Sequence, residues 1–247
     1  MCTVVILRRP GHRWPLILGA NRDELVARPS RPPAAHWPRQ PDVIGGQDVM
    51  AGGTWLGING AGVVAAVMNR VGSLGPAADK ASRGELPLLA LEKTDAAAAA
   101  AAVAALDGGR YRTFNLVVAD AREGFWLRWA EGARAIERFA LPDGVSMVTA
   151  HDRNDGASRR IRRFLPCFAA ATPPEPPASW GAWQRLLGSR AYDPDGGPTD
   201  AMTIAPTGGF GTVSSSLVAL GDDGAVIWRY AGGAPDIVPF RDVALTA

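Results

Sequence analysis

Residues 1–25 read MCTVVILRRPGHRWPLILGANRDEL. Thr3–Leu7 is a short apolar run rich in β-branched residues, and Trp14–Ala20 is a second apolar run after a Pro10-Gly11 turn. Bounded runs of this length read as buried strands, and the turn between them reads as the link of an antiparallel pair. A cysteine stands at the head of the first strand, and the polar cluster Asn21-Arg22-Asp23-Glu24 closes the second. Pairing the two strands sets that cluster beside Cys2.

A cysteine in second position has two readings. It is a small buried residue at a strand end, or it is a nucleophile. Cysteine is small enough for an aminopeptidase to remove a preceding methionine. Cys2 then carries a thiol and a free α-amine whose pKa is about 8, so the amine itself serves as the base. No catalytic histidine is needed. Arg22 can favour the thiolate, Asp23 can hold the α-ammonium or orient the amine, and Asn21 can donate to a developing oxyanion. The plainer reading of Asn21–Glu24 is a solvated turn with a local ion pair. Asn69 ends the apolar strand of GINGAGVVAAVMN (57–69), where a side-chain amide is either an oxyanion donor or a turn residue.

The rest of the chain supplies strands in groups separated by helices. RPSRPPAAHWPRQP (28–41) is proline-rich and reads as a loop. Residues 43–70 alternate short apolar runs with glycine pairs, as hairpins do. RGELPLLALEK and the alanine run after Thr94-Asp95 are helical, with an N-cap at Thr94 or Asp95 and a stop at Gly108-Gly109. Residues 113–152 return to strands. ASRRIRRFLPCFAAA is a helix with Ile161, Leu165 and Phe168 on one face, a break or kink expected at Pro166, and an arginine-rich solvated face. SWGAWQRLLGSR is a short helix, and residues 212–233 form a hairpin around Gly221–Gly224. Such grouping indicates an α+β layered fold, here one domain over 1–247.

The chain has 247 residues, 47% apolar and 20% charged, enough for a sizeable core. Lys plus Arg number 26 and Asp plus Glu 24, a net charge of +2 that argues against a nucleic-acid-binding protein. The 2 cysteines, Cys2 and Cys167, form no metal-ligand spacing. No apolar run approaches the ~20 residues that cross a bilayer. The N-terminus lacks the charge order of a secretory signal, so the expectation is a cytoplasmic protein without an integral membrane segment. Gly52-Gly53 lack the following Lys-Ser/Thr of a phosphate-binding loop.

Cys2, Asn21-Arg22-Asp23-Glu24, GGTWLGIN (52–59), SRGELP (82–87), FNLVVAD (114–120) and FGTVSSS (210–216) together resemble the NRDE family, the proteins similar to transport and Golgi organisation protein 2. That family is related by fold to the N-terminal-nucleophile hydrolases of the choloylglycine hydrolase and penicillin V acylase group. The resemblance implies a four-layer αββα sandwich. It places Cys2 on the nucleophile, Arg22 and Asp23 on an Arg and an Asp of the next strand, and Asn69 on the oxyanion-type Asn. The sequence departs from the hydrolases at two places. Ala150 follows Thr149 where they carry an Asn, and Val213 stands in the segment where many NRDE relatives have an Arg. His151, Asn154 and Arg159 are the candidates to substitute.

Two functions follow. The first is hydrolysis of a non-peptide amide by Cys2, with Arg22, Asp23 and Asn69 as catalytic partners and Asn21, Glu24, Trp55 and His151 toward the substrate. The second is a non-catalytic carrier of haem, or of acyl-CoA or lipid, on the same scaffold. No cofactor is required by the first; haem would be a ligand in the second, with Trp55, His36 or His151 nearby. The expected partner is a small molecule in either case.

Overall fold

The computed structural model describes residues 2–245. Within the described residues, contacts group into two compact units, 2–28 with 142–243, and 29–141 with 244–245. Each unit is one antiparallel sheet with its own helices.

The first unit holds β1 (Thr3–Arg8), β2 (Leu16–Leu25), β10 (Gly144–Val148), β11 (Phe210–Leu220), β12 (Val226–Ala231) and β13 (Arg241–Asp242), in the spatial order β10-β1-β2-β11-β12-β13. The two opening runs pair as the sequence indicates, with Thr3 opposite Asn21 and Val5 opposite Gly19. Helix α3 (Arg159–Ala170) and the short α4 (Trp183–Leu187) lie on one face of this sheet. There Val5, Leu7, Ile17, Leu217 and Ala219 pack with Phe164, Phe168, Trp183 and Leu187. Gly19 allows the close approach of α4: a Cβ there would lie 3.2 Å from both Leu187 and Trp183 side chains. Alternate residues Val4, Ile6, Leu18 and Val218 point to the opposite face and are buried as well. The expected break at Pro166 does not occur. α3 is continuous to Ala170 with Pro166 inside it; the Ile161, Phe164 and Phe168 side chains hold both halves of the helix to the same core.

The second unit holds β3 (Ser30–Ala35), β4 (Ile44–Asp48), β5 (Thr54–Ile58), β6 (Val64–Asn69), β7 (Phe114–Ala119), β8 (Gly124–Trp129) and β9 (Glu137–Ala140), each paired with its neighbour in sequence. The proline-rich segment expected as a loop is in part the edge strand β3. Its ladder with β4 is interrupted between Arg31 and Ala34, where Pro32 and Pro33 have no N–H to donate. Helix α1 (Glu85–Ala90) and helix α2 (Ala96–Ala104) cover Leu116, Val118 and Leu127. Asp95 is the N-cap of α2, its carboxylate accepting from the Ala98 N–H at 2.7 Å. The small side chains of Ala96, Ala99 and Ala100 are fully buried, the close packing that an alanine helix permits.

Two sequence motifs meet in this unit. Gly53 of GGTW lies against Gly84 of SRGEL, and the Thr54 N–H donates to the Gly84 carbonyl at 2.9 Å. A Cβ on Gly53 would stand 2.4 Å from the Gly84 carbonyl carbon. Backbone cannot yield as a side chain can, so Gly53→Ala should destabilise the chain by about 1–3 kcal/mol. Gly156→Ala, where a Cβ meets nothing within 4 Å, should leave the urea midpoint where it is.

Candidate functional site

Strand β2 presents its polar cluster to both faces of the first sheet, because successive side chains alternate. Asn21 and Asp23 face the helices; Arg22 faces the other way. Thr3 shares the helix face, so Cys2 shares the face of Arg22. The 3↔21 register continued by one step sets Cys2 opposite Arg22.

On the helix face lies a buried polar network. Asp23 Oδ2 accepts from Arg160 Nη1 at 2.8 Å, and both side chains are essentially inaccessible, 0% and 1% exposed. The same Arg160 nitrogen donates to Thr3 Oγ1 at 2.7 Å, and Arg160 Nη2 donates to the Thr199 carbonyl at 2.9 Å. The second Asp23 oxygen accepts from Thr212 Oγ1 at 2.6 Å. Thr212 Oγ1 in turn accepts from the Ile204 N–H at 2.8 Å. One arginine of α3 therefore fastens the head of β1 and the end of β2 to the helix layer.

Asn21 requires a correction. Its two amide hydrogens go to the carbonyls of Leu187 and Met202, at 2.9 and 2.8 Å, and its oxygen accepts from Ser215 at 2.7 Å. An amide committed in this way cannot donate to an oxyanion; Asn21 ties β2 to the end of α4. Glu24 turns back on its own strand end, accepting from the Leu25 N–H at 2.8 Å and facing Arg28 at 3.9 Å. That is the local ion pair of the plainer reading, and it does not give Glu24 a substrate-facing role.

The opposite face carries Cys2. The thiol donates to the Asp23 carbonyl at 3.7 Å, and the residue is half-buried. Burial pushes the thiol pKa up from its ordinary value; the Asp23 carboxylate adds to this, while the Asp23 carbonyl contact and the Arg22 guanidinium oppose it. Across the sheet from Cys2 come Arg22 on β2, then Ser214 on β11, directly opposite Arg22. Tyr230 on β12 stands opposite Ser216, and its phenol reaches back to a hydrogen bond with Ser214. Burial raises the Tyr230 pKa, while Ser214 and Arg22 pull it down.

A β-bulge makes both faces possible. Thr212 pairs with Asp23 and Ser214 with Arg22, so Val213 is the extra residue in β11. Thr212 and Ser214 would face the same way in a regular strand. The bulge turns one toward Asp23 and the other toward Arg22.

The remaining predicted residues fall elsewhere. Ala150 follows β10, whose Val148 pairs with Val4, so a methyl group stands where a further polar side chain would flank Cys2. His151, next in the chain, is half-buried with Nδ1 3.8 Å from Asp155. Asn154 is a turn residue with φ of 57°, its side chain accepting from the Met147 N–H at 2.7 Å. Arg159 faces the surface carboxylates of Asp195 and Asp200, each at 3.8 Å. Neither Asn154 nor Arg159 takes the place of the absent hydrolase side chains. In the second unit, Asn69 ends β6 opposite Phe114, and the Trp55 indole lies over Gly46, where a Cβ would be 2.2 Å from its ring. Among the described residues no cluster of three or more metal-ligating side chains occurs, and no helix is long and apolar enough to cross a membrane.

Arg160 is the main residue absent from the sequence reading, which took the arginines of α3 as solvated. Arg162 and Arg163 do face surface aspartates. Arg160 occupies the stripe of Ile161, Phe164 and Phe168 and is buried with it. Arg160→Met leaves the Asp23 carboxylate buried without its cation and should cost about 3–5 kcal/mol. Adding Asp23→Asn should recover part of that loss in urea unfolding, because the uncompensated charge is the larger penalty.

The profile of the family described as Transport and Golgi organisation 2 matches residues 1–149. The Transport and Golgi organization protein 2 homologs of Bos taurus and Homo sapiens are 40% and 37% identical over 111 and 110 residues. Each alignment covers 42% of this chain and 38% of the relative, so the match spans well under half of those proteins. Among solved structures, a C2A mutant of conjugated bile acid hydrolase from Clostridium perfringens aligns with a TM-score of 0.54, 10% identity, 99% of this chain and 97% of that one. The Caenorhabditis elegans ortholog of N-acylethanolamine-hydrolyzing acid amidase aligns with a TM-score of 0.56, 12% identity, 96% and 94%. At such identities the likeness shows the fold, which is the αββα class of the N-terminal-nucleophile hydrolases. The chain belongs to the Transport and Golgi organisation 2 family, as the NRDE tetrapeptide and the motifs after it indicate.

Proposed function

We propose that this protein hydrolyses a non-peptide amide with Cys2 as an N-terminal nucleophile, after loss of Met1. The observation that supports this reading most is the split of β2: a buried Asp23–Arg160 pair anchors the strand ends on one face, and Cys2 with Arg22 stands on the other. Met1 itself lies outside the described residues.

With Met1 attached, Cys2 has no free α-amine, and burial disfavours the thiolate. Removal of Met1 exposes an amine of pKa about 8 within reach of the thiol. The neutral amine takes the thiol proton, and the Arg22 guanidinium favours the sulfur anion. The thiolate attacks the amide carbonyl carbon, and the C=O electron pair moves to oxygen. Collapse breaks the C–N bond, and the proton held by the α-amine passes to the leaving nitrogen. Water, deprotonated by the same amine, then attacks the thioester and releases the acid and the thiol.

Alkylation read by intact mass and peptide mapping tests this. The Met1-free chain should take up one iodoacetamide at Cys2 before the exposed Cys167 reacts. A Met1-retaining chain should label at Cys2 only at higher pH, because burial then acts on the thiol without the neighbouring amine. Equal labelling profiles with and without Met1 would contradict the mechanism. A Cys2 inert in both forms would favour a carrier role, for which hemin and acyl-CoA are the ligands to titrate.

A further inference from the structure

The second unit displays apolar side chains at one end of its sheet. Neighbouring strands run antiparallel there, so the β4–β5 turn and the β6–β7 link emerge at the same end. The turn exposes Val49 and Met50 to 45% and 70%, and the link exposes Val71 and Leu74 to 63% and 54%. Both segments turn backbone polar groups inward. In the link, Arg112 donates to the carbonyls of Gly72, Leu74, Gly75 and Pro76 at 3.0, 2.6, 3.3 and 3.4 Å. Arg83 donates to those of Ser73 and Gly75 at 2.8 and 3.2 Å. In the turn, the Asp48 carboxylate accepts from the Met50 and Ala51 N–H groups at 3.0 and 3.1 Å. The Asp48 carbonyl accepts from the Gly52 N–H at 2.8 Å, and Trp37 Nε1 donates to the Gly52 carbonyl at 2.8 Å. Gly84, next to Arg83, receives the Thr54 N–H, so one short stretch holds both segments.

A loop that meets only water has no need of such bonds, because water satisfies its carbonyls. Internal partners matter where water is scarce, since an unmet donor or acceptor in an apolar medium is costly. Apolar tips on backbones satisfied in this way suit a partner of low polarity. The charge behind them selects which one. Arg112 meets the loop carbonyls, and the exposed Arg110 lies 5.8 Å from the Tyr111 ring centre. Among the described residues neither arginine has a carboxylate partner. Two cations without counter-charge beneath an apolar tip complement an anionic surface. We propose that this end of the second unit docks on an anionic lipid bilayer. Val49, Met50, Val71 and Leu74 enter the acyl boundary, and Arg110 and Arg112 supply the attraction to the headgroup phosphates. The association is peripheral, needs no membrane-crossing helix, and does not depend on the chemistry of Cys2.

The test is co-sedimentation of the full chain with vesicles, of phosphatidylcholine alone and of an equal mixture of phosphatidylcholine and phosphatidylglycerol. The mixed vesicles should pellet the chain, less so as salt rises and screens the charges. Phosphatidylcholine alone should pellet far less. Met50→Asp and Leu74→Asp should each lower partitioning into the mixed vesicles about tenfold, the scale of one large apolar side chain returned to water. Both positions are more than half exposed, so the urea midpoint should not move. Ile237→Asp, at an apolar position of the first unit that is 71% exposed, should partition as the parent does. No pelleting of the parent, equal pelleting by both vesicle types, unchanged partitioning in Met50→Asp and Leu74→Asp, or an equal loss in Ile237→Asp would overturn the proposal. A dimer in sedimentation velocity that Leu74→Asp abolishes, without vesicle binding, would assign the patch to a second copy and overturn it as well.

Discussion

The buried pair of Asp23 and Arg160 is the constraint on which the candidate site depends. Two charges removed from water are costly, and the cost is offset only when the ions pair closely and gain further hydrogen bonds. Here Thr3, Thr212 and the Thr199 carbonyl supply the additional partners. The geometry that satisfies the pair also fixes where β1 begins and where β2 ends. Cys2 and Arg22 are the next residues along those strands, so their placement follows from a network on the opposite side of the sheet.

The same logic explains the bulge at Val213. A hydroxyl is needed at Asp23 on one face, and another stands beside Arg22 on the other. A regular strand can serve only one face with residues two apart. One extra residue resolves the conflict, and Val213 occupies that position. The sequence marks it only as a place where an expected arginine is missing.

Much of the fold was legible because its signals are local. The opening strand pair follows from two apolar runs and a Pro-Gly turn, and the later hairpins from their glycine turns. The alanine helix follows from propensity and the Asp95 cap. The site was legible in part. Cys2 and Arg22 come onto one face because alternation along paired strands is a local rule. Arg160 escaped because four arginines in SRRIRRFL look alike, and only the spacing to Ile161, Phe164 and Phe168 distinguishes the buried one. Asn21 misled because a polar residue in a cluster looks available; its partners, Leu187 and Met202, are more than 160 positions away. Ser214 and Tyr230 depend on pairing between strands distant in sequence and on the bulge, which no residue pattern announces. Pro32 and Pro33 show the converse: prolines exclude a central strand, yet an edge strand accepts them.

The central claim is that Cys2 shares a face with Arg22 and that the guanidinium acts on the thiol. The direct measurement is the pH dependence of Cys2 alkylation in the Met1-free chain, compared with Arg22→Gln. A cation beside the thiol favours the thiolate, so its loss should move the labelling midpoint to higher pH while Cys167 labels as before. A Cys2 midpoint that does not move would contradict the account.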